Sequence, residues 1–152
     1  MEKHHYEFER QLNADLSCPP LAARQKLDAL RIKVSRNQWL SLEMHERRAI
    51  NDMPADSAAE REHFAEFVRS AVKARSGEPP SELSKEQQVA AVPTEDLPAI
   101  LINRARELGF QLDASAWQRL DYDQRYALLK FGSDERRRRK FAAALKEFLA
   151  NT

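Results

Sequence analysis

The two tryptophans of this 152-residue chain sit in matching frames 78 residues apart. Leu30-Arg-Ile-Lys-Val34, four residues, Trp39, Leu42, Arg47, Ala49 and Ile50 align without a gap on Leu108-Gly-Phe-Gln-Leu112, four residues, Trp117, Leu120, Arg125, Ala127 and Leu128. Upstream, Pro20 falls on Pro98 in the same register. A shared frame for the rarest residue, with apolar positions kept around it, predicts one structural unit used twice. Such a unit buries its apolar face against its own short helices, so the repeat constrains the fold before any chemistry is considered.

The period inside each unit is helical. Phe64, Phe67, Val68, Ala71 and Val72 recur at the spacing of one helix face, and strand signals are nearly absent. Ser57-Ala-Ala-Glu60 is a capping-box pattern ahead of that face. Thr94 before Glu95-Asp96 reads as another helix start, Ser17 before Cys18-Pro19-Pro20 as a third, and Asp113 and Asp121 as caps of two more. The three glycines, Gly77, Gly109 and Gly132, each follow a helical stretch: Phe64–Arg75, Leu97–Leu108 and Tyr122–Phe131. All three are therefore expected as C-terminal stops. Arg31–Val34 and Phe110–Leu112 read as short extended links. The fold class is all-α: two pseudo-repeated units of about four helices each, packed into one compact domain. The expected boundaries are an N-terminal segment at 1–16 lying on the first repeat, a first repeat at 17–76, a polar, surface-exposed mobile linker at 77–93, and a second repeat at 94–152.

Charge is balanced in both halves. Residues 1–76 carry thirteen Lys and Arg against twelve Asp and Glu, and residues 77–152 carry twelve of each. Neither half is a basic module that long-range attraction would bring to nucleic acid. No apolar run approaches membrane-spanning length, and the first residues lack a signal-peptide core, so a cytoplasmic address is expected. The lone Cys18 excludes an internal disulfide and a zinc site made of cysteines alone.

The chain holds no phosphate-cradling glycine loop and no nucleophile elbow. His63 shares a helical face with Glu60 and Glu66, but no second histidine at that spacing completes a ligand set, so a solvated face is expected. His4-His5 is a conceivable metal-scavenging pair, discounted because terminal residues are usually mobile, so no metal site is expected. Cys18, beside a helix start, is a candidate reactive thiol, although cysteine is more often a small half-buried apolar residue. The tryptophans read better as core than as partner anchors. Arg136-Arg-Arg-Arg-Lys140 invites a nucleic-acid reading, yet five successive helical positions point around the whole circumference, and Asp134 and Glu135 precede them. Arg24, Asp28 and Arg31 recur at helical spacing, which favours an ordinary i,i+4 pair.

Phe8-Glu9, Cys18-Pro19, Arg24-x-Lys26-Leu27-Asp28, Ile32-Lys33-Val34 and Trp39, followed by Trp117-Gln-Arg-Leu120 and Gln124-Arg125-Tyr126-Ala127-Leu128-Leu129-Lys130-Phe131 and then Ala144-Leu145 with Glu147-Phe148, run in an order and spacing that resembles the nitrate-reductase-associated protein family. The similarity extends from about Tyr6 to Leu149, the connector excepted. It implies a small cytoplasmic accessory protein for an assimilatory nitrate reductase, a molybdopterin and iron–sulfur enzyme. The absence of a catalytic constellation and the balanced charge independently favour a non-enzymatic role, and no cofactor is expected. The role implied is assembly or stabilisation through protein contact. Where the family pattern has a second cysteine after a proline, this chain has Met53-Pro54-Ala55. Where it has a histidine-bearing segment near the last helix, this chain has 133–140. Among the motif positions, Arg24, Lys26, Asp28, Lys33, Arg125 and Lys130 are the expected partner-binding surface. The alternative is a helical nucleic-acid-binding regulator using Arg136–Lys140.

Overall fold

The computed structural model describes residues 6–150. They form ten α-helices and one antiparallel two-stranded ribbon, divided between two units. The first helix, α1 (Glu7–Leu12), belongs to the second unit; the first unit occupies residues 13–88.

Within the first unit, α2 (Leu21–Ala29) leads into β1 (Ile32–Lys33), then α3 (Arg36–Ser41), α4 (Met44–Asp52) and the long α5 (Ala58–Ser76). Successive capping boxes start the last three: Ser35 with Gln38, Glu43 with Glu46, and Ser57 with Glu60. Each reciprocally satisfies backbone N–H groups that a helix start leaves unbonded. Helix α5 ends at Gly77, whose φ of 88° is left-handed. Trp39, Ile50, Phe64, Val68 and Val72 are fully buried together, so the predicted apolar face of α5 forms one wall of this core.

The connector is folded, not a free linker. Ser81–Glu82 forms β2 and pairs with β1, with Ile32 opposite Glu82 and Lys33 opposite Ser81. The Leu83 N–H donates to the Arg31 carbonyl at 2.9 Å, and Gln38 Nε2 donates to the Pro79 carbonyl at 3.1 Å. Helix α6 (Lys85–Ala90) follows, and Gln88 Nε2 donates to the Ala29 carbonyl at 2.9 Å. Composition alone marked this stretch as polar and missed that its backbone finishes a ladder.

The second unit contains α7 (Ala99–Glu107), α8 (Ala114–Arg119), α9 (Tyr122–Gly132), a 3-10 turn (Glu135–Arg137) and α10 (Arg138–Leu149). Asp113 and Asp121 cap α8 and α9 as expected. Leu101, Trp117, Leu128, Phe141 and Leu145 are fully buried in the unit. Three expectations are corrected here. Helix α7 starts after Pro98, not at Thr94; the Thr94 hydroxyl instead donates to the Asp96 carbonyl at 2.7 Å. Gly132 is not a left-handed stop but the last residue of α9, and it is glycine for close packing. A Cβ there would lie 2.3 Å from Leu101 Cδ2 and 2.8 Å from Phe141 Cε1. Helix α1, expected on the first repeat, has its ring contacts in the second unit. Phe8 meets Phe131 and Phe148 edge-on at 5.9 and 5.8 Å, and its N–H donates to Glu147 Oε1 at 2.9 Å. An aromatic floor is what a buried phenylalanine on a six-residue helix needs, since so short a helix is marginal without tertiary packing.

Candidate functional site

Each tryptophan is a fully buried plug whose indole N–H is satisfied by backbone. Trp39 Nε1 donates to the Leu16 carbonyl at 2.7 Å, and Trp117 Nε1 to the Thr94 carbonyl at 3.2 Å. An arginine then closes over each. Arg47 Nε donates to the Trp39 carbonyl at 3.2 Å, while Arg125 Nε donates to the Trp117 carbonyl at 3.0 Å and its guanidinium lies 5.5 Å from the Trp117 ring. A charged donor at the last carbonyls of a short helix satisfies orphan acceptors and complements the helix dipole.

Lys26 does the same for α4. Its Nζ donates to the carbonyls of Ile50, Asn51 and Met53 at 2.7, 2.8 and 2.7 Å, and it sits 5.0 Å from the Phe64 ring centroid. Arg104, at the corresponding place in α7, donates to the Gly132 carbonyl at the end of α9 and pairs with Glu135 at 3.7 Å. Three of the six motif positions proposed as partner-binding, Lys26, Arg125 and Arg24, are thus seated on backbone acceptors. Arg24 is half-buried, with Nε donating to the Pro19 carbonyl at 2.8 Å. Asp28 is half-buried and Lys33 exposed, and Lys130 lies 6.0 Å from the Tyr126 ring. Periodicity does not reveal such roles, because a lysine that caps a neighbouring helix looks like any lysine on a polar face.

Cys18 is half-buried and its backbone is clamped by buried Asn13. The Cys18 N–H donates to Asn13 Oδ1 at 3.1 Å, and Asn13 Nδ2 donates to the Cys18 carbonyl at 2.8 Å. His63 is exposed; the His4-His5 pair lies outside the described residues. Among the described residues no three His, Cys, Asp or Glu side chains converge as a metal set. The basic run is broken between two elements. Asp134 takes Arg136 and Arg137 at 3.2 and 3.3 Å, and the Arg136 hydrogen bond is the main reason its carboxyl sits below the usual range. Arg138 and Arg139 are exposed on the first turn of α10.

One polar cluster was not legible in the sequence. In the first unit, Arg75 pairs with Glu43 at 3.2 Å and with Glu46 at 3.0 Å, and His45 Nδ1 lies 3.3 Å from Glu43. Burial alone would raise the Glu46 carboxyl, but the Glu43 backbone N–H and the Arg75 guanidinium outweigh it and hold the group below its usual value. A carboxyl depressed in the folded state contributes stability that is complete above its ordinary value of 4.5 and is lost as pH falls through the lower folded one. Glu46→Gln should therefore be less stable than the parent chain at pH 7, with the gap closing below about pH 4. Urea unfolding at both pH values checks this; a gap of equal size at both would refute it. The only signal available beforehand was the Glu43-x-x-Glu46 spacing, a capping box with glutamate in the first position.

A family model described as conserved nitrate reductase-associated protein matches residues 5–148. The chain belongs to that family. No curated protein and no solved structure matches it. For this member of the nitrate reductase-associated family, the match spans both units and the folded connector, so the family pattern describes the whole arrangement and not one half. No helix among the described residues is long and apolar enough to cross a membrane.

Proposed function

We propose that this chain is a non-enzymatic accessory protein that acts on an assimilatory nitrate reductase, or a related redox enzyme, by direct protein contact in the cytoplasm. The family match carries this reading. The use of the motif cations supports it: Lys26, Arg47, Arg104 and Arg125 hold helix ends in place, which suits a chain whose product is a shaped surface. The two units are read as copies of one helical module, since the indole acceptors, the arginine clamps and the helix starts after Pro20 and Pro98 recur at one offset.

The test is recovery of the reductase on tagged full-length chain from cytoplasm of nitrate-grown cells, at near-stoichiometric level. Recovery of neither reductase nor maturation factor removes the reading. In parallel, titration with duplex DNA at low salt is expected to show only weak, flat binding. Steeply salt-dependent affinity would favour the nucleic-acid alternative instead, because each neutralised phosphate releases counterions.

A further inference from the structure

In the first unit the short extended link after α2 is occupied. Arg31 holds the left-handed conformation at φ 58°, where an L-residue other than glycine is strained by about 1–2 kcal/mol. Its side chain explains why arginine is there: Nε donates to the Leu83 carbonyl at 2.8 Å, and Nη2 lies 3.4 Å from Glu82. The Leu83 N–H returns a bond to the Arg31 carbonyl, β2 pairs with β1, and Ile32 is buried.

The second unit has a link at the same offset, and no described strand pairs with it. Gly109 takes the left-handed position at φ 85°, so the strain is gone and so is the clamp. Phe110–Leu112 has no ladder partner among the described residues: the Phe110 N–H turns back to the Ala105 carbonyl, while Gln111 is exposed and its backbone makes no hydrogen bond to a described residue. Phe110, standing where Ile32 is buried, is only half-buried. A free edge with a half-covered aromatic is a template for strand addition.

We propose that the link at 109–112 is a docking edge for an extended segment of a partner protein, which adds antiparallel as β2 does in the first unit. The occupant is identified by the one seen on β1. It is a proline-introduced extended stretch like Pro79-Pro80-Ser81-Glu82-Leu83, but with an apolar residue opposite Phe110, because Gly109 offers no cation to a glutamate there. A second copy pairing through the same edge is disfavoured, since so short a ladder falls far below the roughly 1,200 Å² a stable dimer buries. This deepens the accessory reading and rests on it for the identity of the partner.

The probe is a synthetic peptide of residues 77–84 carrying Glu82→Val, titrated into the full-length chain and followed by amide chemical shifts. Saturable shifts are expected at 109–112. They should weaken at least tenfold in the Gln111→Pro chain, and equally when the peptide is N-methylated at the residue corresponding to Leu83. That second arm removes a ladder donor without touching the protein fold. Absence of saturable shifts, or unchanged binding of the N-methyl peptide, overturns the edge while leaving reductase recovery free to stand. A chain that binds the peptide as expected but recovers neither reductase nor maturation factor upholds the edge and refutes the accessory role.

Discussion

Replacing Trp39 by alanine is expected to remove about 3–5 kcal/mol, the range for deleting a large aromatic from a packed core. The indole has no solvent exposure, and its neighbours Phe64, Val68 and Ile50 are also fully buried, so they have little room to collapse into the void. Against a total stability of about 5–15 kcal/mol, that loss is a large fraction of what keeps the chain folded. Trp39→Phe separates volume from polarity. It keeps most of the packing but leaves the half-buried Leu16 carbonyl without its 2.7 Å donor, where full burial would make the loss about 1–3 kcal/mol. The lower end is expected, because Arg47 Nη1 reaches the same carbonyl at 3.4 Å. Urea unfolding followed by circular dichroism ranks the variants; an alanine variant within 1 kcal/mol of the parent would show that the ring is not a core plug.

Gly132→Ala should invert an ordinary rule. Alanine is normally better than glycine in a helix, by about 1 kcal/mol in the interior, and Gly132, which closes α9, has no left-handed backbone to favour glycine. Here the added methyl meets Leu101 Cδ2 at 2.3 Å and Phe141 Cε1 at 2.8 Å, and both side chains are themselves fully buried, so neither can swing away. Overpacking of this kind typically destabilises by about 1–3 kcal/mol. The informative comparison is Gly77→Ala, where nothing lies within 4 Å of the added carbon and only the left-handed backbone objects. Thermal unfolding of the two variants tests the distinction: Gly132→Ala is expected to fall further, and a rise in its midpoint would refute the packing argument.

The helical class, the tryptophan cores and the aspartate caps were readable because each rests on local spacing. Ser57 with Glu60, Asp113 and Asp121 need only a few consecutive residues to act. What was not readable depends on partners far away in the chain. Gly132 resembles any glycine after a helix until Leu101 and Phe141 are placed beside it. Ser81–Glu82 looks like linker until Arg31 reaches across 52 residues to Leu83. The proposed partner surface was drawn from motif positions, and Lys26 and Arg125 turn out to serve backbone carbonyls, a role in which a recurring cation leaves the same trace as a recognition residue.

The placement of α1 has a consequence for how the chain is made. Because Phe8 packs with Phe131 and Phe148, residues 13–88 form an insertion within the second unit, spliced between its first helix and the rest. During synthesis every residue of the inserted unit is made before the last helix, whereas α1 must wait for that helix to be made. Contacts between residues so distant in sequence are slow to form. A nick between the units therefore cannot release two whole modules, since one of them would leave its first helix behind on the other fragment.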